Sequence, residues 1–175
     1  MNKVDKYPDW LKIKDCEKIK TFDINEEENG YLIDILNIND HIMENRKNEK
    51  FSQVYMTTVY KNKLKGLHVH PFKIDTINCI YGKVCVAFYP EVIEKDKDDL
   101  FEMDNDRVLF LEIGDGNHKT LSFPAKYPHG YFGLDNFSII INYRVPAWTP
   151  SDTYQYFVNN KTIMEKLMDL YGFER

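Results

Sequence analysis

The chain has 175 residues, of which 43% are apolar and 14% aromatic, and it carries a formal net charge of −5. That length and apolar content suffice to bury a core and exclude a disordered chain. The acidic balance argues against nucleic acid or an anionic membrane surface as partner, and no apolar run approaches the roughly 18 residues of a membrane span. Residues Met1 to Lys6 lack the apolar core of a signal peptide. Cys16, Cys79 and Cys85 are odd in number, and the last two lie in apolar runs, so free buried thiols and a reducing cytoplasm are expected.

Residues 1–21 read as an arm and an early strand, with Trp10 and Ile13 as anchors. Residues 25–30 form a turn signal and 30–36 a strand, while the polar stretch 40–50 predicts a surface loop or short helix. The stretch 51–60 is a strand in which Val54, Met56, Thr58 and Tyr60 alternate with Tyr55, Thr57 and Val59. Runs 74–81 and 83–89 flank Gly82, which reads as a hairpin turn. The charged cluster 94–99 predicts a solvated loop, and 108–113, 120–123 and 137–145 predict further strands. The turn 114–118 leaves His118 exposed, and 149–152 breaks the pattern. Apolar spacing from Ile163 to Tyr171, with Thr162 and Glu165 as a capping box, predicts a terminal helix over 161–171. Many short strands and one helix imply an all-β sandwich or barrel.

The chemistry concentrates in two stretches. His68 and His70 are two residues apart, so on an extended strand they project to one face. Asp75 follows after four residues and Gly82 after six more, and a third histidine, His129, lies on a second short turn in the segment 123–131. Together His68, His70, Asp75 and His129 suit either an acid–base site or a site for a divalent metal such as zinc, iron, manganese or nickel. Asp75 also suits the part of a hydrogen-bonding anchor behind a histidine.

The spacing His68-x-His70-x4-Asp75-x6-Gly82, with Pro124-x-Lys126-x-x-His129, resembles the two motifs of the cupin superfamily, Lys126 standing where glycine is usual. Lys65-Gly66-Leu67-His68, Phe123-Pro124, Pro128-His129-Gly130-Tyr131 and Phe51-x-Gln53 are similar to segments of the dTDP-4-dehydrorhamnose 3,5-epimerases. The resemblance covers roughly residues 22–155 and implies a cupin-type double-stranded β-helix (jelly roll) with a C-terminal α-helix. It implies a single domain over 1–175: N-terminal arm and strands over 1–50, cupin core over 51–148, helix over 160–172. It also implies a homodimer built by sheet-edge pairing.

The function implied is epimerisation or isomerisation of a dTDP- or other nucleotide-linked 4-keto-6-deoxy sugar in polysaccharide or glycan synthesis, with no cofactor required. His68 matches the family's base, and His129 a histidine of the same cavity. Lys65 replaces an arginine that binds phosphate, Gln53 would meet the nucleotide sugar, and Asn29 stands where an arginine contacts the diphosphate. Three family features are changed. The enolate-stabilising lysine is replaced by Asp75, leaving Lys73 as substitute. The proton-donating tyrosine is replaced by Asn142, leaving Tyr143 if a bulge turns it inward. The Ser-x-x-Asp whose aspartate orients the base has no counterpart in the last 25 residues. His70 replaces a glutamine, so it serves the substrate or a metal. Two alternatives stay open: a metal-dependent cupin enzyme using His68, His70, Asp75 and His129, and a non-catalytic sugar-binding cupin.

Overall fold

A computed structural model of the chain describes residues 7–22, 26, 28–37, 39–46, 53–92, 104–146 and 160–173. Among the described residues, eleven strands and one α-helix follow in order: β1 (Lys12–Asp15), β2 (Lys18–Phe22), β3 (Glu28–Ile33), β4 (Gln53–Tyr60), β5 (Leu64–His68), β6 (Ile74–Tyr81), β7 (Lys83–Phe88), β8 (Leu109–Gly114), β9 (Lys119–Phe123), β10 (His129–Gly133), β11 (Phe137–Val145) and α1 (Asn160–Tyr171). Single 3-10 segments cover His41–Arg46 and Asn105–Arg107. Five strands form one sheet in the order β1-β9-β6-β11-β4, four form a second in the order β5-β10-β7-β8, and β2 pairs with β3 as a separate ribbon. Every strand-to-strand ladder is antiparallel. Among the described residues no helix is long and apolar enough to cross a membrane.

Alternation along each strand decides what the two sheets bury. On β11, Ser138, Ile140, Asn142 and Arg144 are buried, and the residues between them are more exposed. Their inward neighbours include Ile77 and Cys79 of β6, Val84, Val86 and Phe88 of β7, and Leu121 and Phe123 of β9, which form the core between the sheets. Trp10 extends this core from the arm, stacking on Tyr127 at 4.0 Å between ring centroids and meeting Phe88 edge-on at 5.8 Å. A second cluster lies on the outer side of the four-stranded sheet. There Ile163, Leu167 and Met168 of α1 cover Leu67, Val69, Cys85, Ala87 and Phe132. The helix is amphipathic and this is its apolar stripe. Neighbouring residues of one segment therefore serve different layers: Leu67 and Val69 pack toward the helix, and His68 and His70 turn inward.

Two backbone positions explain the motif glycines. Gly82 sits at φ +70° in the β6–β7 hairpin, where an added Cβ would lie 2.5 Å from the carbonyl oxygen of Phe137. Lys126 holds φ +72°, the left-handed conformation that favours glycine. Its amide donates to the carbonyl of His70 at 2.8 Å, tying the second motif to the first.

Most expected elements appear within a few residues of their predicted bounds. One early strand is two, β1 and β2. His129 begins strand β10 instead of standing on a turn. His118 is half-buried. All three cysteines are free and buried. The predicted loop 94–99, the break at 149–152 and Phe51 lie outside the described residues.

Candidate functional site

The inward faces of β5, β6, β10 and β11, with the segment just after β5, bring His68, His70, Asp75, His129 and Arg144 together between the sheets. His68 is the register partner of His129 across β5 and β10, and Asp75 is the partner of Arg144 across β6 and β11. The ring of His68 lies 4.5 Å from that of His129 and 4.9 Å from that of His70, centroid to centroid. One ring nitrogen from each of the three imidazoles lies within 4.8 Å of the other two.

Asp75 anchors a polar network beneath them. Its Oδ1 accepts from Arg144 Nε at 2.7 Å and from Asn142 Nδ2 at 2.8 Å. Its Oδ2 lies 4.0 Å from His70 Nε2 and 3.9 Å from His129 Nε2. A terminal guanidinium nitrogen of Arg144 donates to His70 Nε2 at 2.9 Å and to the Tyr55 hydroxyl at 2.7 Å. That hydroxyl also accepts from Asn142 Nδ2 at 2.8 Å. His129 Nδ1 bonds the carbonyl of Tyr127 at 3.0 Å. A carbonyl only accepts, so Nδ1 carries the proton and neutral His129 presents Nε2 as a bare lone pair. Among the described residues, His129 Nε2, Asp75 Oδ2 and the hydroxyl of Tyr131 have no hydrogen-bond partner, though all are buried.

These contacts set the charges. Burial, reinforced by neighbouring His129 and Arg144 against the pull of Asp75, holds His68 well below the ordinary histidine range. Burial likewise pushes His129 down to about 4, with Asp75 opposing and His70 and Arg144 reinforcing. Burial drives Asp75 upward, but His129 and His70 when protonated, and Arg144 at every pH, outweigh it and hold its carboxyl below the usual range, so that at neutral pH the bonded Arg144 guanidinium faces an ionised carboxylate. Burial raises Tyr55 to about 12, against Arg144, and lifts Tyr131 well above its usual value. At neutral pH the cavity therefore holds neutral His68 and His129, protonated phenols and one carboxylate–guanidinium pair.

The remaining predicted residues distribute around this centre. Asn142 is fully buried in the network. Gln53 lies on the edge strand β4 as the register partner of Arg144 and is half-buried. Lys65 is exposed on β5 and donates to Thr57 Oγ1 of β4 at 3.1 Å, linking the edges of the two sheets. The inward positions of β4 (Gln53, Tyr55 and Thr57) are half-buried, whereas Asp75, Asn142 and Arg144 are buried, so the cavity opens along the β4 and β5 edges. Lys73 is fully buried just before β6. Asn29 is part of β3, and its side chain lies outside the described residues.

Tyr143 is placed differently from the expectation. The irregularity in the β11–β6 register falls between Ile139 and Ile140, so alternation is intact from 142 to 144. Tyr143 therefore points to the opposite side of the sheet from Asn142 and Arg144, away from the histidines. Asp75, taken as a fourth ligand, lies outside the three-imidazole group and binds Arg144 and Asn142 instead. Three inward-facing residues escaped the sequence reading: Arg144, Tyr55 and Tyr131. The parity of β11 carried a signal, because Asn142 and Arg144 continue the buried series begun by Ser138 and Ile140.

A divalent ion can be tested against this donor set. Three convergent imidazoles suit a cation of intermediate softness, with Asp75 behind them. Arg144 now uses the Nε2 lone pair of His70 and brings a positive charge beside it. The residues fit an ion once Arg144 releases His70.

No family model matches the sequence, and no curated protein matches it. Solved structures share the fold. A dTDP sugar isomerase from Desulfovibrio desulfuricans is similar at TM-score 0.66 and 13% identity, over 89% of this chain and 88% of that one. A dTDP-6-deoxy-D-glucose-3,5-epimerase from Legionella pneumophila, in complex with dTDP-4-keto-L-rhamnose, is similar at TM-score 0.62 and 13% identity, over 91% and 80%. A 3'-monoepimerase from Streptomyces bikiniensis, in complex with dTDP, is similar at TM-score 0.64 and 9% identity, over 84% and 69%. The shared property is the architecture, a cupin-type double-stranded β-helix, which in this chain carries the C-terminal helix α1.

Proposed function

We propose that this chain is an epimerase or isomerase of a nucleotide-linked 4-keto-6-deoxy sugar, working by proton transfer at a carbon beside the ketone. The observation that carries the reading is the register pair His68 and His129, its rings 4.5 Å apart between the sheets, set over the Asp75–Arg144 ion pair, with burial holding both imidazoles below their ordinary range. A neutral imidazole accepts a proton, and a nearby carboxylate stabilises the imidazolium that results. The substrate's carbonyl makes the adjacent C–H acidic, so the chain has only to supply base, acid and a donor to the enolate oxygen.

In this mechanism the sugar enters along the β4 and β5 edges. Lys65 and Gln53 meet the nucleotide diphosphate at the rim, Lys65 as a point charge. His68 removes the proton. Lys73 and His129 steady the enolate, His129 once it is protonated or turned to donate. Asp75 and Arg144 hold His70 and the floor of the cavity in place. The fold-sharing enzymes that bind dTDP or a dTDP-4-keto sugar support the choice of substrate class.

The test is wash-in of deuterium from heavy water at C3 and C5 of dTDP-4-keto-6-deoxyglucose. Exchange that His68→Asn abolishes supports the reading. Absence of exchange across 4-keto nucleotide sugars, with the sugar still bound, would favour a non-catalytic sugar-binding module.

A second reading rests on the three convergent imidazoles. His68, His70 and His129 would hold a divalent cation, with Asp75 behind them. Such an ion polarises a substrate carbonyl when bound. Plasma mass spectrometry on untagged protein decides it: near-stoichiometric metal that His70→Ala abolishes selects this reading, and a metal-free protein with deuterium wash-in selects the first.

A further inference from the structure

Proton transfer with inversion needs an acid on the face of the sugar opposite the base. Tyr143 faces outward, and Asn142 stands where a tyrosine was expected. The hydrogen bonds inside the cavity identify another phenol. Asn142 Nδ2 donates to the Asp75 carboxylate at 2.8 Å, and because an ionised carboxylate only accepts, the orientation of this amide is fixed. The same Nδ2 donates to the Tyr55 hydroxyl at 2.8 Å, and the Arg144 guanidinium donates to that hydroxyl at 2.7 Å. Neither partner can accept through those atoms. Both lone pairs of the phenol are thus engaged, and its own hydrogen has no acceptor among the described residues.

Position agrees with this. Tyr55 is the register partner of Asn142 on β4, at the half-buried rim of the cavity. His68 is on β5, in the other sheet. Base and phenol therefore occupy opposite walls. The second phenol, Tyr131, is on β10 in the same sheet as His68 and is buried.

Resting on the epimerase reading above, we propose that Tyr55 is the acid that returns the proton, oriented by Asn142 and Arg144. His68 takes the proton from the carbon beside the ketone, and the C–H electron pair becomes the C=C bond of the enolate. On the other face the O–H bond of Tyr55 breaks, a new C–H bond forms at the same carbon, and the enolate electrons restore the C=O bond. The tyrosinate left behind sits against the Arg144 guanidinium and the Asn142 amide. It regains a proton from solvent as the His68 imidazolium loses one, so the cycle balances without a co-reactant. The burial that raises Tyr55 keeps the phenol protonated at neutral pH, as an acid requires.

The test uses the full chain with dTDP-4-keto-6-deoxyglucose in heavy water, following deuterium at C3 and C5 and configuration by NMR. Tyr55→Phe is expected to keep exchange within about tenfold of the parent while inversion falls by at least about 100-fold, because His68 still abstracts and returns a proton on one face. Replacing Tyr55 with 3-fluorotyrosine, whose phenol is more acidic, is expected to shift the alkaline limb of kcat to lower pH; a residue that only supports the fold would leave it in place. Inversion at parental rate in Tyr55→Phe, or an alkaline limb unmoved by fluorination, overturns the assignment. If Tyr55→Phe does not fold, the fluorinated protein alone decides. A parent chain that shows no exchange overturns the epimerase reading itself and this assignment with it, whereas exchange and inversion in the parent with a silent Tyr55 removes only the latter.

Discussion

Removing Arg144 tests the buried network most directly. Arg144→Met keeps much of the side chain's apolar volume and deletes three donated bonds, to Asp75, His70 and Tyr55. Asp75 is 1% exposed and, among the described residues, would keep only Asn142 as a close donor. Breaking a buried pair by removing one partner typically costs ~3–5 kcal/mol, because the remaining charge is desolvated without compensation. Against a total stability of ~5–15 kcal/mol, and with ~2–4 °C of Tm per kcal/mol at this chain length, the expected fall in Tm is ~6–20 °C. Asp75→Asn strands the guanidinium and should cost a similar amount. The double variant should lose clearly less than the sum of the two. Urea denaturation of the four proteins at pH 7 gives the coupling energy. The penalty of Arg144→Met should also shrink toward pH 4–5. In the parent, Asp75 is depressed and its stabilisation is lost as pH falls; in the variant the carboxyl titrates higher, so the folded state gains by taking up the proton. A cost below about 1 kcal/mol, or singles that add to within ~0.5 kcal/mol, would refute the network as drawn.

Other expectations are simpler. His129 is buried neutral at about 4, below its unfolded value near 6.5, so stability should fall between about pH 6.5 and 4 by ~3 kcal/mol; His129→Gln, measured with chelator present, should flatten that slope. Lys126→Gly relieves a left-handed φ of +72° and should be neutral or stabilising by up to ~1 kcal/mol in urea, whereas Gly82→Ala meets the Phe137 carbonyl and should destabilise the chain. Trp10→Ala removes a half-buried ring stacked on Tyr127 and should cost ~1–3 kcal/mol, read by chemical denaturation followed by circular dichroism. Arg144→Met should also strengthen zinc binding at the three imidazoles, by freeing His70 and removing a cation; an unchanged or weaker affinity in a titration would count against the metal reading.

How much of this was legible in the sequence depends on sequence distance. His68 and His70 disclose their shared face by a two-residue spacing, and Gly82 discloses the hairpin that follows. Asp75 and His129 are readable through motif spacing. Arg144 and Tyr55 are not, because they reach the centre only through register. The β11 ladder skips one residue of β6 between Ile139 and Ile140, and that slip sets Arg144 opposite Asp75. The parity of β11 puts Arg144 on the buried face, but no local pattern announces its partner. The same parity places Tyr143 outside, where proximity to Asn142 in the sequence had suggested an inward phenol. His129 looked like a turn residue because of the prolines around it, yet its pairing with both His68 and Phe88 makes it the first residue of a strand.

The layering of the His68 segment bears on motion as well as on shape. Leu67 and Val69 lie under α1, and His68 and His70 project from the residues between and beyond them into the cavity. The imidazoles are thus held through the backbone by a helix on the far side of the sheet. Any excursion that lifts α1 frees their two anchors at once and widens the angular spread of both rings. Amide hydrogen exchange along β5 should then rise and fall with that of α1 as one cooperative unit. A binder or substitution on the outer surface of the helix would change the precision of the cavity from behind, without touching anything that enters it.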